Sequence, residues 1–330
     1  MINRQWIYLA CPDGALGAEH FAWRKVPTPV PQAGEVLVRV RMISVDPAQR
    51  MWMSAHSYRP RLQPGEVMAA YAVGEVVDSR APGFAPGDVV SGDLGWQDFC
   101  VAAPQALRKR DGGRPLEQLA GVLDITGLTA YFGLFEVATV RADEMLLVSA
   151  AAGGVGNVVV QLARRAGLRV VGVAGGPQKC RWLLEALGAD AAIDYKLGGL
   201  RAQIKTACPD GIDAMFDGTG GDILEAALLQ MNHFGRIACC GAVAQYDQAS
   251  AAPGPRGVPG LLVARRIRMQ GFVVFDHCAR RDEAETRLAR WLDEGSLKLC
   301  TQVAEGLEAA PAALIGQLAG ANVGKMLVRV

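Results

Sequence analysis

Residues 148–180 read VSAAAGGVGNVVVQLARRAGLRVVGVAGGPQKC, and the glycines in this stretch have the spacing of a turn that cradles a pyrophosphate. The turn is Ala151-x-Gly153-x-x-Gly156, a GxGxxG pattern with alanine in its first place and with Gly154 and Val155 between the later glycines. A small first residue permits the tight turn, Gly153 lets the backbone approach the anion, and Gly156 lets helix and strand pack closely. The amides that open the next helix then face the phosphates. An apolar strand, EMLLVSAA, precedes the turn, a helix over 155–166 follows it, and the strand RVVGVAG comes about 20 residues on, as the motif requires. The competing reading is a glycine-rich turn that holds nothing, and this context weighs against it.

The end of that second strand is informative for what it lacks. In NAD-binding proteins an Asp or Glu there bonds the ribose hydroxyls. Here the end reads Gly175-Gly176-Pro177-Gln178-Lys179, and the first acid after it is Glu185, well inside the next helix. An acid would repel a 2′-phosphate, so its absence removes a barrier to NADPH, and Lys179 adds an attraction. In the first turn of a helix the macrodipole disfavours a cation by about 0.3–1 kcal/mol. A bound phosphate reverses that sign, although a merely solvated lysine also tolerates so small a penalty. Tyr195, ending the third strand, has three readings: it flanks an adenine, it reaches the phosphate, or it is a partly buried strand-end tyrosine.

These residues need a sheet to position them. From about residue 120 the chain alternates strands and helices: strands RVVGVAG, DAAIDY, GIDAMFD, GRIACCGAV and RMQGFVVF, with helices at 177–187 and 222–231. Such alternation predicts a parallel sheet covered on both faces. LEQLAGVLDITGLTAYFGLFEVATV, ahead of the first strand, reads as helical. AQYDQASAAPGPRGVPG, between the last two strands, reads as a functional lid or a disordered segment. Residues 1 to about 120 read differently. EVLVRVRM puts Val36, Val38, Val40 and Met42 on one face, and further short runs separated by Gly and Pro turns predict a barrel or sandwich. SVDPAQRMWM predicts a short helix with Asp46 as N-cap and Pro47 at the first helical position. The final thirty residues, ending GKMLVRV, read as strand-like and are expected to return to the first domain.

Composition bounds the function. The chain has 330 residues, enough for two domains, and its net charge of +1 gives no field that draws it to nucleic acid or an anionic membrane. No apolar run approaches the roughly 20 residues of a membrane span, and the N-terminal apolar segment is too short for a signal peptide, so a cytoplasmic protein is expected. The eight cysteines form no CxxC pair, and His20, His56, His233 and His277 are scattered, so no metal site is expected. The thiols read as reduced.

Taken together, TGLTAYFGL, AAAGGVGNVVVQLARRAG, VVGVAGGPQKC, ACPDGIDAMFDGTGG, FGRIACCGAV and GANVGK resemble the zinc-independent medium-chain dehydrogenase/reductases, in the branch of the NADPH-dependent curcumin, prostaglandin and 2-alkenal reductases. The likeness spans nearly the whole chain, with SVDPAQR, GEVM, GDVVSG and GWQDF in the first half. It implies an α/β protein: a GroES-like β-barrel catalytic domain over residues 1–122, completed by 300–330, and a Rossmann doubly wound parallel sheet over 123–299, with the active site in the cleft between them. It implies NADPH and hydride transfer to the β-carbon of an α,β-unsaturated ketone or aldehyde. By motif, Gly153, Gly154, Val155 and Gly156 meet the pyrophosphate, and Lys179 and Tyr195 the 2′-phosphate end. Cys240, Gly241, Ala242, Val243 and Tyr246 run along the nicotinamide half, Phe272, Val273 and Val274 line its pocket, and Asn322 reaches in from the C-terminal tail.

The resemblance also implies two candidate catalytic tyrosines, Tyr246 and Tyr58. Without a metal, a tyrosine or ribose hydroxyl must stabilise the enolate that forms as hydride arrives. Tyr246 ends an apolar strand at the edge where ligands sit. Tyr58 lies in a loop, HSYRP, where a structural or surface tyrosine is an equal reading. The proton for the α-carbon comes from either tyrosine or from water. Three departures from the pattern stand out. Ala48 replaces the tyrosine of D-P-Y-M-R. Gly218 and Thr219 replace the Asn-Val of D-N-V-G-G, with Thr219 a possible substitute for the lost contact. Ala264 stands where the mammalian enzymes carry a tyrosine. Quinone reduction and a non-catalytic NADPH-binding sensor or structural protein remain alternative readings, and the apolar strand RMQGFVVF at the sheet edge predicts a homodimer.

Overall fold

The computed structural model describes residues 1–54, 57–247 and 254–330. The chain divides into two units, Met1–Asp124 with Thr301–Val330, and Ile125–Cys300.

The first unit begins with an antiparallel pair, β1 (Ile2–Tyr8) and β2 (Phe21–Pro27), that brings the Trp6 and Trp23 rings edge to face 4.9 Å apart. In β3 (Val36–Ser44) the alternating Val36, Val38, Val40 and Met42 are all buried, and Arg39 is exposed. The chain then forms α1 (Ala48–Ser54), β4 (Tyr71–Ser79), β5 (Val89–Asp93), β6 (Phe99–Ala102), β7 (Leu107–Lys109) and α2 (Leu116–Ala120). β3 pairs antiparallel with β4 and β6, β4 with β5, and β5 with β7. The helical stretch expected across 116–140 breaks at Gly121, where the chain doubles back so tightly that a Cβ would stand 2.6 Å from the Glu117 carbonyl.

The second unit opens with α3 (Ile125–Phe132), which widens into a π turn over Gly133–Val137. β8 (Met145–Val148), α4 (Gly154–Arg165), β9 (Arg169–Ala174), α5 (Pro177–Glu185), β10 (Ala191–Asp194), α6 (Leu200–Ala207), β11 (Ile212–Asp217), α7 (Gly221–Leu228) and β12 (Met231–Cys239) alternate as expected. α8 (Val258–Arg265), β13 (Arg268–Gly271) and α9 (Arg281–Asp293) complete the unit. All six strands run parallel in the order β10-β9-β8-β11-β12-β13. The order reverses between β8 and β11, the place where open α/β sheets bind ligands. The four side chains of β8 are all buried, worth roughly 6–12 kcal/mol at 1.5–3 kcal/mol each as an upper bound.

Two further expectations are corrected. β13 stops at Gly271, because Val273 N–H turns to the Asp276 carboxylate and a 3₁₀ helix begins at Val274, so Phe272–Val274 lie beyond the strand. The Asp46 carboxylate does not cap α1; it accepts from Ser44 Oγ at 2.6 Å and from the buried Lys325 ammonium. The segment read as a lid falls partly on 248–253, outside the described residues, as does His56; its last residues enter α8.

After the second unit come β14 (Thr301–Glu305), α10 (Ala310–Leu318) and β15 (Lys325–Arg329). β15 pairs antiparallel with β3 and parallel with β14, which closes the seven-stranded sheet of the first unit with the chain's last residues.

Candidate functional site

The turn between β8 and α4 is under steric control. Ala150 takes a left-handed conformation (φ 46°) and its carbonyl accepts from Gly153 N at 2.9 Å. A Cβ on Gly156 would strike that same carbonyl and stand 2.8 Å from Ala151 Cα, so only glycine lets the helix start this close to the strand. At Gly153 a Cβ would meet the protein at Ala150 O alone. Asn157, which the sequence reading did not single out, is 1% exposed, and its Nδ2 donates to the carbonyls of Gly153 and Gly154, both at 2.7 Å. That draws the loop carbonyls inward. No side chain caps α4 and its first turn carries no acid. The leading amides and the positive end of the dipole are therefore left for an anion of the pyrophosphate kind.

The end of β9 gathers cations. Gly176 (φ 93°) starts α5, and Asp194, at the end of β10, accepts from Gly176 N at 2.8 Å and from Lys196 N at 3.0 Å. The acid at this edge is thus committed to backbone. Tyr195 and Lys196 fold over Gly175: a Cβ there would stand 2.9 Å from Tyr195 Oη and 3.0 Å from Lys196 Cε. Lys179 faces the same place. Burial, and then the charge of Lys196, hold its ammonium below the usual lysine range. Two ammonium groups at a strand end whose one carboxylate is engaged by backbone amides fit a phosphate dianion. Lys196 is the residue that sequence reasoning missed. Its signal was adjacency to Tyr195, readable only once β9 and β10 are known to be neighbours. A cavity of about 540 Å³ opens beside Tyr195, between residues 198–202 and the start of α7.

At the switch point the ends of β8 and β11 are latched together. Ser149 Oγ donates to Asp217 Oδ1 at 2.6 Å and accepts from Gly218 N at 2.9 Å. The same carboxylate oxygen accepts from Thr219 N, Thr219 Oγ1 and Gly220 N at 3.0–3.1 Å. The Thr219 hydroxyl, expected to stand in for a lost asparagine, is thus engaged with Asp217. Beyond β12, Cys240 N bonds Asp217 O and Val243 N bonds Gly218 O, carrying Gly241 and Ala242 along the switch-point edge. Burial, with the Asp217 charge second, pushes the Cys240 thiol up, and the Cys239 thiol to about 12. Tyr246 Oη returns to this backbone and accepts from Ala242 N at 3.3 Å. Burial pushes its phenol up, so at neutral pH it is a proton-bearing donor. The Phe272 ring sits edge-on to Phe216, 6.2 Å away, in space that a side chain at Gly133 would fill. Val273 and Val274 follow it, half-buried.

Two of the expected residues belong to the first unit. Tyr58 is 40% exposed, and its oxygen accepts from Trp52 Nε1 at 3.0 Å. Asn322 is buried, with Nδ2 donating to Gly324 O at 2.8 Å. Among the described residues no group of three or more His, Cys, Asp or Glu stands where it could hold a metal ion, and no helix is long and apolar enough to cross a membrane.

Comparison with known proteins identifies the family. A family model described as the N-terminal domain of oxidoreductase matches residues 4–109, and one described as zinc-binding dehydrogenase matches 154–294. The NADPH-dependent curcumin reductase of Escherichia coli is 38% identical, over 99% of this chain and 97% of its own. The NADP(+)-dependent 2-alkenal reductase of Nicotiana tabacum is 38% identical, over 90% of this chain and 88% of its own. The crystal structure of CurA from Vibrio vulnificus in complex with NADPH superposes with a TM-score of 0.94 at 36% identity, over 99% of each chain. The chain, a GroES-like β unit joined to a Rossmann parallel-sheet unit, belongs to the medium-chain dehydrogenase/reductase family, among the relatives of the NADPH-dependent curcumin and 2-alkenal reductases.

Proposed function

We propose that the protein uses NADPH to reduce the C=C bond of α,β-unsaturated ketones and aldehydes. The observation that carries the cofactor is the pair Lys179 and Lys196 at the end of β9, where the Asp194 carboxylate is taken up by backbone amides, beside an uncapped helix N-terminus. The named activities of relatives at 38% identity support the reaction.

NADPH, when bound, supplies the hydride for the β-carbon of the substrate. The protein's part is to hold and polarise. Gly153, Gly154, Val155 and Gly156 seat the pyrophosphate, and Lys179, Lys196 and Tyr195 take the 2′-phosphate. Cys240–Val243, Thr219, Phe272–Val274 and Asn322 are assigned to the nicotinamide half. Tyr246 and Tyr58 are assigned to the substrate oxygen, where a phenol O–H meets the charge that develops on it as the enolate forms. The α-carbon then takes one proton, drawn from solvent directly or through a tyrosine, so each turnover consumes one NADPH and one proton and yields NADP⁺ and the saturated carbonyl compound.

Purified protein is expected to oxidise NADPH in the presence of methyl vinyl ketone and related enones, with the saturated ketone recovered in equal amount. Tyr246→Phe lowers kcat by about 100-fold, the usual cost of one lost oxyanion donor. Tight NADPH binding without turnover across an enone panel would identify a sensor instead, and faster turnover of benzoquinone than of any enone would identify a quinone reductase.

We also assign the protein to the cytoplasm as a homodimer. The eight cysteines are free, which supports a reducing compartment. β13 ends the sheet with its backbone edge unpaired among the described strands, which supports pairing with a second copy. Light scattering at micromolar concentration is expected to give about twice the chain mass of 35.0 kDa; a mass equal to one chain rules the dimer out.

A further inference from the structure

Tyr58 has no element of its own to hold it. Between the end of α1 and the start of β4, the described residues 57–70 form no helix, and their one strand-like contact is the bridge from Val67 to Ile7. Any freedom that a half-exposed tyrosine keeps on such a stretch must be frozen at the moment of reaction, at a cost in free energy. Trp52 removes that freedom. It lies on α1 one turn beyond Ala48, so it shares a helix face with a residue too small to reach the same space. Its indole is 2% exposed. Its Nε1–H donates to Tyr58 Oη at 3.0 Å, with the two rings edge to face 6.2 Å apart.

The indole is itself pinned. The Arg59 guanidinium stacks over its ring at 4.6 Å, and the same guanidinium pairs with Asp93 of β5 at 2.8 Å. Tyr71 meets the indole edge-on at 6.2 Å, and Tyr71 and Asp93 are register partners in the β4–β5 ladder. A chain of contacts therefore runs from the sheet, through Arg59 and Tyr71, to the indole, and from the indole N–H to the phenol oxygen. A hydrogen bond donated to that oxygen orients the phenol and strengthens it as a donor, because it stabilises the charge left on oxygen.

We propose that Trp52 is the positioning residue of Tyr58, its indole N–H fixing the phenol oxygen in the orientation that serves the substrate. This rests on the reading that Tyr58 meets the substrate, and the test separates the two. Trp52→Phe, Tyr58→Phe and the double variant are compared in steady-state reduction of methyl vinyl ketone. Trp52→Phe is expected to lower kcat about 10-fold or more, as small misplacements of a reacting group do, with the KM for NADPH unchanged. In the Tyr58→Phe background the same change is expected to have less than about a twofold further effect, since coupled residues do not add. Should the indole-to-phenyl exchange disturb packing, benzothienylalanine placed at position 52 alone keeps the ring shape and removes only the N–H. It is expected to lose the same activity. An undiminished effect of Trp52→Phe in the Tyr58→Phe background, or full activity with benzothienylalanine, overturns the proposal while leaving Tyr58 in place. Wild-type kinetics for Tyr58→Phe overturn the reading beneath it.

Discussion

Lys179→Glu is expected to raise the Kd and KM for NADPH by about 100-fold or more and to leave those for NADH within a factor of two. A hydrogen bond to a charged group is worth about 1.5–3 kcal/mol, or roughly 10- to 150-fold in affinity, and the reversed charge adds repulsion. The 2′-phosphate is the only part of NADPH that NADH lacks, so a contact there moves one cofactor and not the other. Lys196→Glu is expected to act in the same direction, because its Cε stands against Gly175 in the same space. Quenching of cofactor fluorescence gives both affinities without turnover. An equal loss for both cofactors would mean that Lys179 supports the fold of α5 and does not contact the phosphate.

The same site predicts a pH dependence of known sign. Burial and Lys196 lower the pKa of Lys179 in the free protein from the usual 10.5. A bound phosphate holds the proton on. NADPH affinity then falls as pH rises through the lowered value toward 10.5, because binding must take up a proton that the free protein has lost. NADH, with no group to hold that proton, is expected to show no such fall.

What could be read from the sequence divides along a physical line. Local steric demands were legible: Gly156 had to be glycine, and the apolar runs of β8 and β9 had to be buried parallel strands. Periodicity placed β3's buried face correctly at Val36, Val38, Val40 and Met42. Contacts made across strands were not legible. Lys196 and the Ser149–Asp217 pair gain their meaning from the register of β8, β9, β10 and β11, which no spacing along the chain reveals. Asp46 failed as an N-cap for the same reason. Its partner, Lys325, is 279 positions away and arrives only when β15 pairs with β3. The donor that Trp52 offers becomes visible only when Tyr58 is found at the other end of it.

Asp217→Ala is the substitution expected to cost the second unit most. The carboxylate is 1% exposed and ties Ser149 Oγ, Thr219 Oγ1 and two backbone amides into one oxygen cluster at the switch point. Alanine takes the acceptor from Ser149 Oγ and from the Thr219 and Gly220 amides, at about 1–3 kcal/mol for each that water cannot reach, or about 3–5 kcal/mol in all. For a unit of this size that is a fall in Tm of roughly 6–20 °C. The loss also reaches function, because Gly218 and Thr219 lead into the edge along which Cys240–Val243 run, and an untethered turn no longer offers NADPH a preformed floor. Asp217→Asn keeps an acceptor at Oδ1 and exchanges the other oxygen for an NH₂ facing Gly220 N, now 3.1 Å from that oxygen, so its cost falls between wild type and alanine. Ser149→Ala removes one arm of the same cluster, and its effect is expected to shrink when Asp217 is already alanine, since the two act as one unit. Scanning calorimetry with and without NADPH reads both consequences. A Tm within about 2 °C of wild type, together with unchanged NADPH binding, would show that the strand ends hold their spacing without the latch, and that β8 and β11 are kept in place by the buried apolar ladder between them alone.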